Sequence, residues 1–115
     1  MVDERRAHAR KLMEQSAFIS NPREGGWSPI VVLDVTINAI SFACAEPLQG
    51  GHIYALRLTV PGSDKLHFVS AIVLPGTTEG VPSGFRYGAR FAKIKHGTTE
   101  DIINFLSNPM LAGPN

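Results

Sequence analysis

Glycine and proline cut this chain into short β-favouring runs, and that punctuation limits its fold more than any other feature. Asn21-Pro22 and Gly25-Gly26, Glu46-Pro47 and Gly50-Gly51, Pro61-Gly62, and the Gly/Pro/Thr-rich stretch 75–84 divide it at short intervals. Such dipeptides mark turns because proline presets φ and glycine reaches positive φ without steric cost. Short strands between regular turns belong to an all-β barrel or sandwich. The runs predict strands over residues 16–20 (around Phe18 and Ile19), 28–35, 39–45, 52–60, 65–74 and 85–94. The turn 61–64 makes a hairpin of the fourth and fifth. In 52–60, Ile53, Ala55, Leu56 and Leu58 compete for the inner face. In 85–94, Tyr87, Ala89 and Phe91 share one face and Arg86, Gly88 and Arg90 the other. Gly97-Thr98-Thr99-Glu100-Asp101 then predicts a helix start, with a threonine N-cap and two acids in the first turn. Ile102, Ile103, Phe105 and Leu106 form a stripe expected to cover one barrel opening, and Asn108-Pro109 stops the helix.

At 115 residues the chain is expected to be one domain, and 43% hydrophobic with 18% charged residues is globular composition. A net charge of +1 provides no global field for nucleic acid or an anionic membrane, so any basic effect is local. No apolar run is long enough to span a bilayer, and the charged start does not read as a signal peptide, so a cytoplasmic location is expected. The single cysteine, Cys44, excludes an internal disulfide and reads as a small buried hydrophobe. The histidines His8, His52, His67 and His96 are scattered without ligand spacing, so no metal site is expected. Trp27 reads as a core or rim anchor, with a base-stacking platform as the other option. No nucleophile elbow, Walker loop, dinucleotide fingerprint or carboxylate pair occurs, so the chain is not expected to be an enzyme or to carry a cofactor.

The chemistry-bearing residues lie in two groups. Arg5, Arg6 and Arg10 cluster ahead of the first apolar run, in Glu4-Arg5-Arg6-Ala7-His8-Ala9-Arg10. Guanidinium is planar, permanently charged and carries a rigid fork of donors, which suits phosphates and guanine edges. The second group, Asp34-Val35-Thr36-Ile37-Asn38-Ala39, falls at a strand junction. Asp34 can accept from the N1–H and N2–H donors of guanine, and Thr36 can meet a phosphate. Equally, both residues can serve only a local turn through side chain to backbone bonds. Arg86 and Arg90 repeat the arginine spacing but read as an outward barrel face.

In this order, the two groups resemble the PilZ domain family. Arg6-x-x-x-Arg10 is similar to its R-x-x-x-R motif, and Asp34-x-Thr36-x-x-Ala39 to its [D/N]-x-S-x-x-G motif. Tyr87-Gly88-Ala89-Arg90-Phe91 resembles its late G-x-x-F strand, and a terminal helix follows as in those domains. The resemblance implies a six-stranded antiparallel β-barrel with a C-terminal α-helix, binding the bacterial second messenger cyclic di-GMP. It implies that Arg6 and Arg10 hold phosphates and guanine Hoogsteen edges and that Arg5 stacks. It also implies that Asp34 reads a guanine Watson–Crick edge and that Thr36 replaces the family serine. Ala39 stands where the family has glycine; if that position needs positive φ, alanine costs on the order of 1 kcal/mol, and Asn38 is the residue expected to carry the turn instead.

The expected organisation is a flexible arginine-rich segment 1–11, a barrel with its helix over 12–108, and a tail 109–115. The expected function is a cytoplasmic receptor or adaptor that orders its arginine segment on cyclic di-GMP and signals to an effector protein. Motility and exopolysaccharide synthesis are among the processes the resembled family regulates. Expected partners are the ligand and that effector, with no nucleic acid and no membrane insertion, in a monomer or weak homodimer. The alternative is a ligand-independent protein-interaction module on the same barrel.

Overall fold

A computed structural model describes residues 11–20, 25–75, 79–81 and 84–108. The elements are β1 (Lys11–Ser20), β2 (Trp27–Val35), β3 (Ala39–Cys44), β4 (Ile53–Leu58), β5 (His67–Val73), β6 (Glu79–Val81), β7 (Gly84–Lys93) and α1 (His96–Ser107). Each strand is antiparallel to its neighbours in the order β3-β2-β1-β4-β5-β7, and β3 also pairs with β7. That pairing closes six strands into a barrel and leaves only the three-residue β6 as a flap on β7. The six-stranded barrel with its terminal helix is the architecture the sequence predicts.

Alternation fills the interior. Ile19, Val32, Phe42, Leu56, Val69, Val73, Tyr87 and Ala89 are buried in one continuous core. Fully burying a side chain such as Phe42 or Leu56 stabilises the fold by about 1.5–3 kcal/mol. Cys44 is buried as expected, and burial pushes its thiol pKa up. In β4 the inward residues are Tyr54, Leu56 and Leu58, followed by Val60, whereas Ile53 faces solvent. The turn after β4 closes through Ser63 N–H donating to the Val60 carbonyl (2.9 Å), with Gly62 at φ +90°. Proline followed by a positive-φ glycine is the type II pattern.

The first strand is twice as long as the sequence suggests. Its leading half, Lys11 to Gln15, lies ahead of the expected strand, but its inward polar groups have partners: Gln15 Nε2 donates to Thr59 Oγ1 (2.8 Å), and Lys11 Nζ donates to the carbonyls of Phe105 (2.8 Å) and Asn108 (3.0 Å). Lys11, the end of the expected leader, is therefore the first residue of β1; residues 1–10 and 109–115 lie outside the described residues.

α1 covers the barrel end where β1 begins, burying Ile102 and Phe105, while Ile103 points to solvent. The expected threonine N-cap is not used: Lys95 is the N-cap and makes no side-chain cap bond. Thr98 lies within the helix, buried against β5, where its Oγ1 is 2.8 Å from His67 Nδ1. His67 Nε2 is 2.8 Å from Asp101 Oδ2, which also accepts from Ser63 Oγ (2.8 Å). This polar chain fastens the helix to the β4–β5 hairpin. No helix among the described residues is long and apolar enough to cross a membrane.

Candidate functional site

Asp34 owes its direction to a bulge. Ile30 and Val32 point into the core, and simple alternation would send Asp34 inward after them. The β2–β3 register shifts between Val32 and Asp34: Val32 pairs with Phe42, but Asp34 pairs with Ser41 and Val35 with Ile40. One extra residue in β2 thus turns Val35 into the core and Asp34 onto the outer face, a common use of bulges.

On that face Asp34, Ser41 and Gly88 lie in line across β2, β3 and β7. Ala43 is opposite Arg86 and Ala39 opposite Arg90, so β3 contributes a floor of Ala39, Ser41 and Ala43 between two guanidinium-bearing positions. Asp34 is only 4% exposed, and its Oδ2 lies 3.6 Å from Arg86 Nη2. The Arg86 side chain is 38% exposed. Ser41 Oγ is buried without a hydrogen-bond partner among the described residues.

The turn that follows is built by Thr36. Its Oγ1 accepts from the backbone N–H of Asn38 (3.1 Å) and Ala39 (2.9 Å), while Thr36 N–H donates to the Ala39 carbonyl (2.8 Å). This is the local-turn use of a threonine, one of the two roles open to it in the sequence. Asn38 does not take a left-handed conformation, and neither does Ala39; Glu14 is the one non-glycine residue with positive φ among those described. Alanine at position 39 therefore costs nothing in backbone strain. The next link is Phe91 N–H donating to the Asn38 carbonyl (2.8 Å), which ties the turn to β7.

Of the expected site residues, Asp34, Thr36, Asn38 and Ala39 thus share one corner of the barrel's outer face, and Arg5, Arg6 and Arg10 lie outside the described residues. Ser41 and Arg86 complete the corner and were missed as site residues. The repeated arginine spacing at Arg86 and Arg90 carried a signal, but the partner of Arg86 depends on the bulge. No group of three or more His, Cys, Asp or Glu among the described residues could hold a metal ion.

A second face lies on the far side of the barrel, since β4 is three strands from β3 in either direction. Phe18, Arg57 and Phe68 pair across β1, β4 and β5. The Arg57 guanidinium sits 4.4 Å from the Phe18 ring centroid and 5.0 Å from that of Trp27, which is therefore a rim residue.

No protein-family model matches the chain, and no curated protein matches it by sequence. Solved structures do match. The Bacillus subtilis inhibitor of motility MotI/DgrA superposes with a TM-score of 0.76 at 15% identity, covering 90% of this chain and 50% of that one. The PilZ domain of YcgR from Escherichia coli, solved with cyclic di-GMP, gives 0.66 at 13% identity, covering 90% and 89%. The Borreliella burgdorferi PlzA protein in complex with cyclic di-GMP gives 0.56 at 14% identity, covering 93% and 38%. The chain has the fold of a PilZ domain. It spans half the length of MotI/DgrA.

Proposed function

We propose that this chain is a cyclic di-GMP receptor of the PilZ type that signals to an effector protein and carries out no reaction of its own. In this reading Asp34 accepts from the N1–H and N2–H of one guanine, and Arg6 and Arg10 hold phosphates, with Arg5 stacking. Thr36 shapes the corner and Asn38 and Ala39 border it. Ligand binding orders the arginine segment on the barrel and so alters the surface offered to the effector.

The register of β1 carries this reading. Leu12 pairs with Asp34, so the chain enters the barrel beside the acid. Arg10 is two residues upstream, which limits its Cα to about 7 Å from that of Leu12; Arg6, six residues away, is limited to about 20 Å. This connection supports assigning the two motifs, far apart in sequence, to one ligand. Two superposable PilZ-type structures hold the same dinucleotide.

Calorimetric titration of cyclic di-GMP into the full chain tests it. We expect saturable binding, micromolar or tighter, abolished in Arg6→Ala and Arg10→Ala. Absence of heat with the wild-type chain would refute the receptor reading.

One observation favours the alternative, a ligand-independent interaction module. Phe18, Trp27 and Phe68 remain solvent-exposed around Arg57, opposite the Asp34 corner. Exposed aromatic residues with arginine resemble the centre of protein interfaces. Effector capture that is lost in Phe68→Ala but unaffected by Arg6→Ala or by added nucleotide would support that reading.

A further inference from the structure

Asp34 alone can satisfy only part of a guanine. The Watson–Crick edge presents N2–H, N1–H and O6 in a row: two donors, then an acceptor. A carboxylate supplies two acceptors, and O6 then needs a donor beside it. Arg86 Nη2 stands 3.6 Å from Asp34 Oδ2. This is too long for a closed hydrogen bond and near the spacing required of two groups meeting adjacent atoms of one edge. Arg86 reaches this place because Gly88, two residues along the same face of β7, adds no side chain opposite Ser41, and Ala43 opposite Arg86 is small. The floor between Asp34 and Arg86 thus carries only small side chains. The guanidinium retains donors beyond the one nearest Asp34 and is partly exposed.

We propose that Arg86 is a specificity-determining residue of the ligand site: with Asp34 it forms an acceptor–acceptor–donor row complementary to guanine, donating to O6. This deepens the cyclic di-GMP reading and rests on it. Adenine offers the opposite pattern, with an acceptor at N1 and a donor at the exocyclic nitrogen, so it would meet carboxylate against acceptor and guanidinium against donor. Arg6 and Arg10 are expected at phosphates and the guanine Hoogsteen edge, whereas Arg86 would act on the Watson–Crick edge.

The test compares cyclic di-GMP with cyclic di-AMP, which carries the same phosphates. Both are titrated into the full-length wild type, Arg86→Ala and Arg86→Lys, with thermal unfolding of each unliganded protein as the fold control. Arg86→Ala is expected to weaken cyclic di-GMP about 10-fold or more, the usual range for a charge-assisted hydrogen bond. Cyclic di-AMP should change less than about twofold, so that the gap between the two ligands narrows. Arg86→Lys, which keeps a cation beside Asp34 and one donor, should retain part of the preference. Equal weakening of both ligands in Arg86→Ala would show a general charge effect and overturn the proposal. Unchanged cyclic di-GMP affinity in a folded Arg86→Ala would overturn it while leaving the receptor reading intact. Failure of the wild type to bind would remove both.

Discussion

Lys11 Nζ lies 2.8 Å from the carbonyl oxygen of Phe105 and 4.3 Å from the centre of its ring. The first residue of the barrel thereby binds the last turn of the helix, where carbonyls lack intrahelical partners and the helix dipole favours a cation. Lys11→Ala is expected to cost about 1.5–3 kcal/mol, the range for hydrogen bonds involving a charged group. Lys11→Met, which keeps an apolar stem over Phe105, should recover part of that. Urea denaturation of the variants measures both.

Acid should loosen the other helix attachment. The hydrogen bond from Ser63, then the hydrogen bond and charge of His67 and the charge of Lys65, hold the Asp101 pKa below its ordinary value of 3.8, against a smaller opposing effect of burial. A depressed folded-state pKa contributes stability that is fully present above the unfolded value and is lost as pH falls through the folded one. Wild type should therefore exceed Asp101→Asn in stability at neutral pH. The difference should shrink as pH falls below the ordinary carboxylate range and through the depressed folded-state value. Denaturation curves at stepped pH check it; a constant difference would contradict the assignment.

Glu14 adopts φ +47° at a register shift in β1. The left-handed region costs a non-glycine residue about 1 kcal/mol or more. Glu14→Gly is expected to stabilise the chain by up to about 1 kcal/mol, and Glu14→Val to destabilise it, since a β-branched residue fits that region worst. Shifts in the urea midpoint decide.

Gly84 begins β7 at φ +143°, and a Cβ there would lie 2.7 Å from Ala45 Cα and closer still to the Cys44 carbonyl oxygen. These are backbone atoms that cannot move aside without breaking the β3–β7 seam. Gly84→Ala should cost about 3 kcal/mol or more, read as a large fall in melting temperature.

Ala39 offers a contrasting case. Its φ is not positive, so Ala39→Gly relieves no strain. We expect it to lower stability by roughly 0.5–1 kcal/mol, the cost of glycine within a strand, and to change ligand affinity less than about threefold. A large gain in affinity would mean that ligand approaches the backbone there more closely than a methyl group allows.

The barrel was legible because its strands obey period-two alternation between strong turn signals: residues 28–35, 39–45 and 85–94 match β2, β3 and β7 within one or two positions at each end. The failures have a common cause in tertiary partners. Lys11 reads as the end of a charged lead-in, and residues 12–15 fall outside the expected first strand, because the helix carbonyls and Thr59 that satisfy Lys11 and Gln15 are distant in sequence. The Thr98-Thr99 pair reads as offering a cap because nothing local reveals His67 as the partner of Thr98. In the candidate site, the Asp34–Thr36 corner was visible as a motif. The contribution of Arg86 was not, because it depends on a bulge that ordinary alternation does not encode.

Where cyclic di-GMP binds is the most direct test. Backbone amide resonances of the full chain, followed by NMR during titration, locate the ligand without any substitution. We expect the largest changes at Asp34, Ser41, Gly88 and Arg86, with Arg57 and Phe68 on the opposite side of the barrel unaffected. Saturable changes confined to the Phe18–Arg57–Phe68 face, or none at millimolar ligand, would contradict the placement of the site.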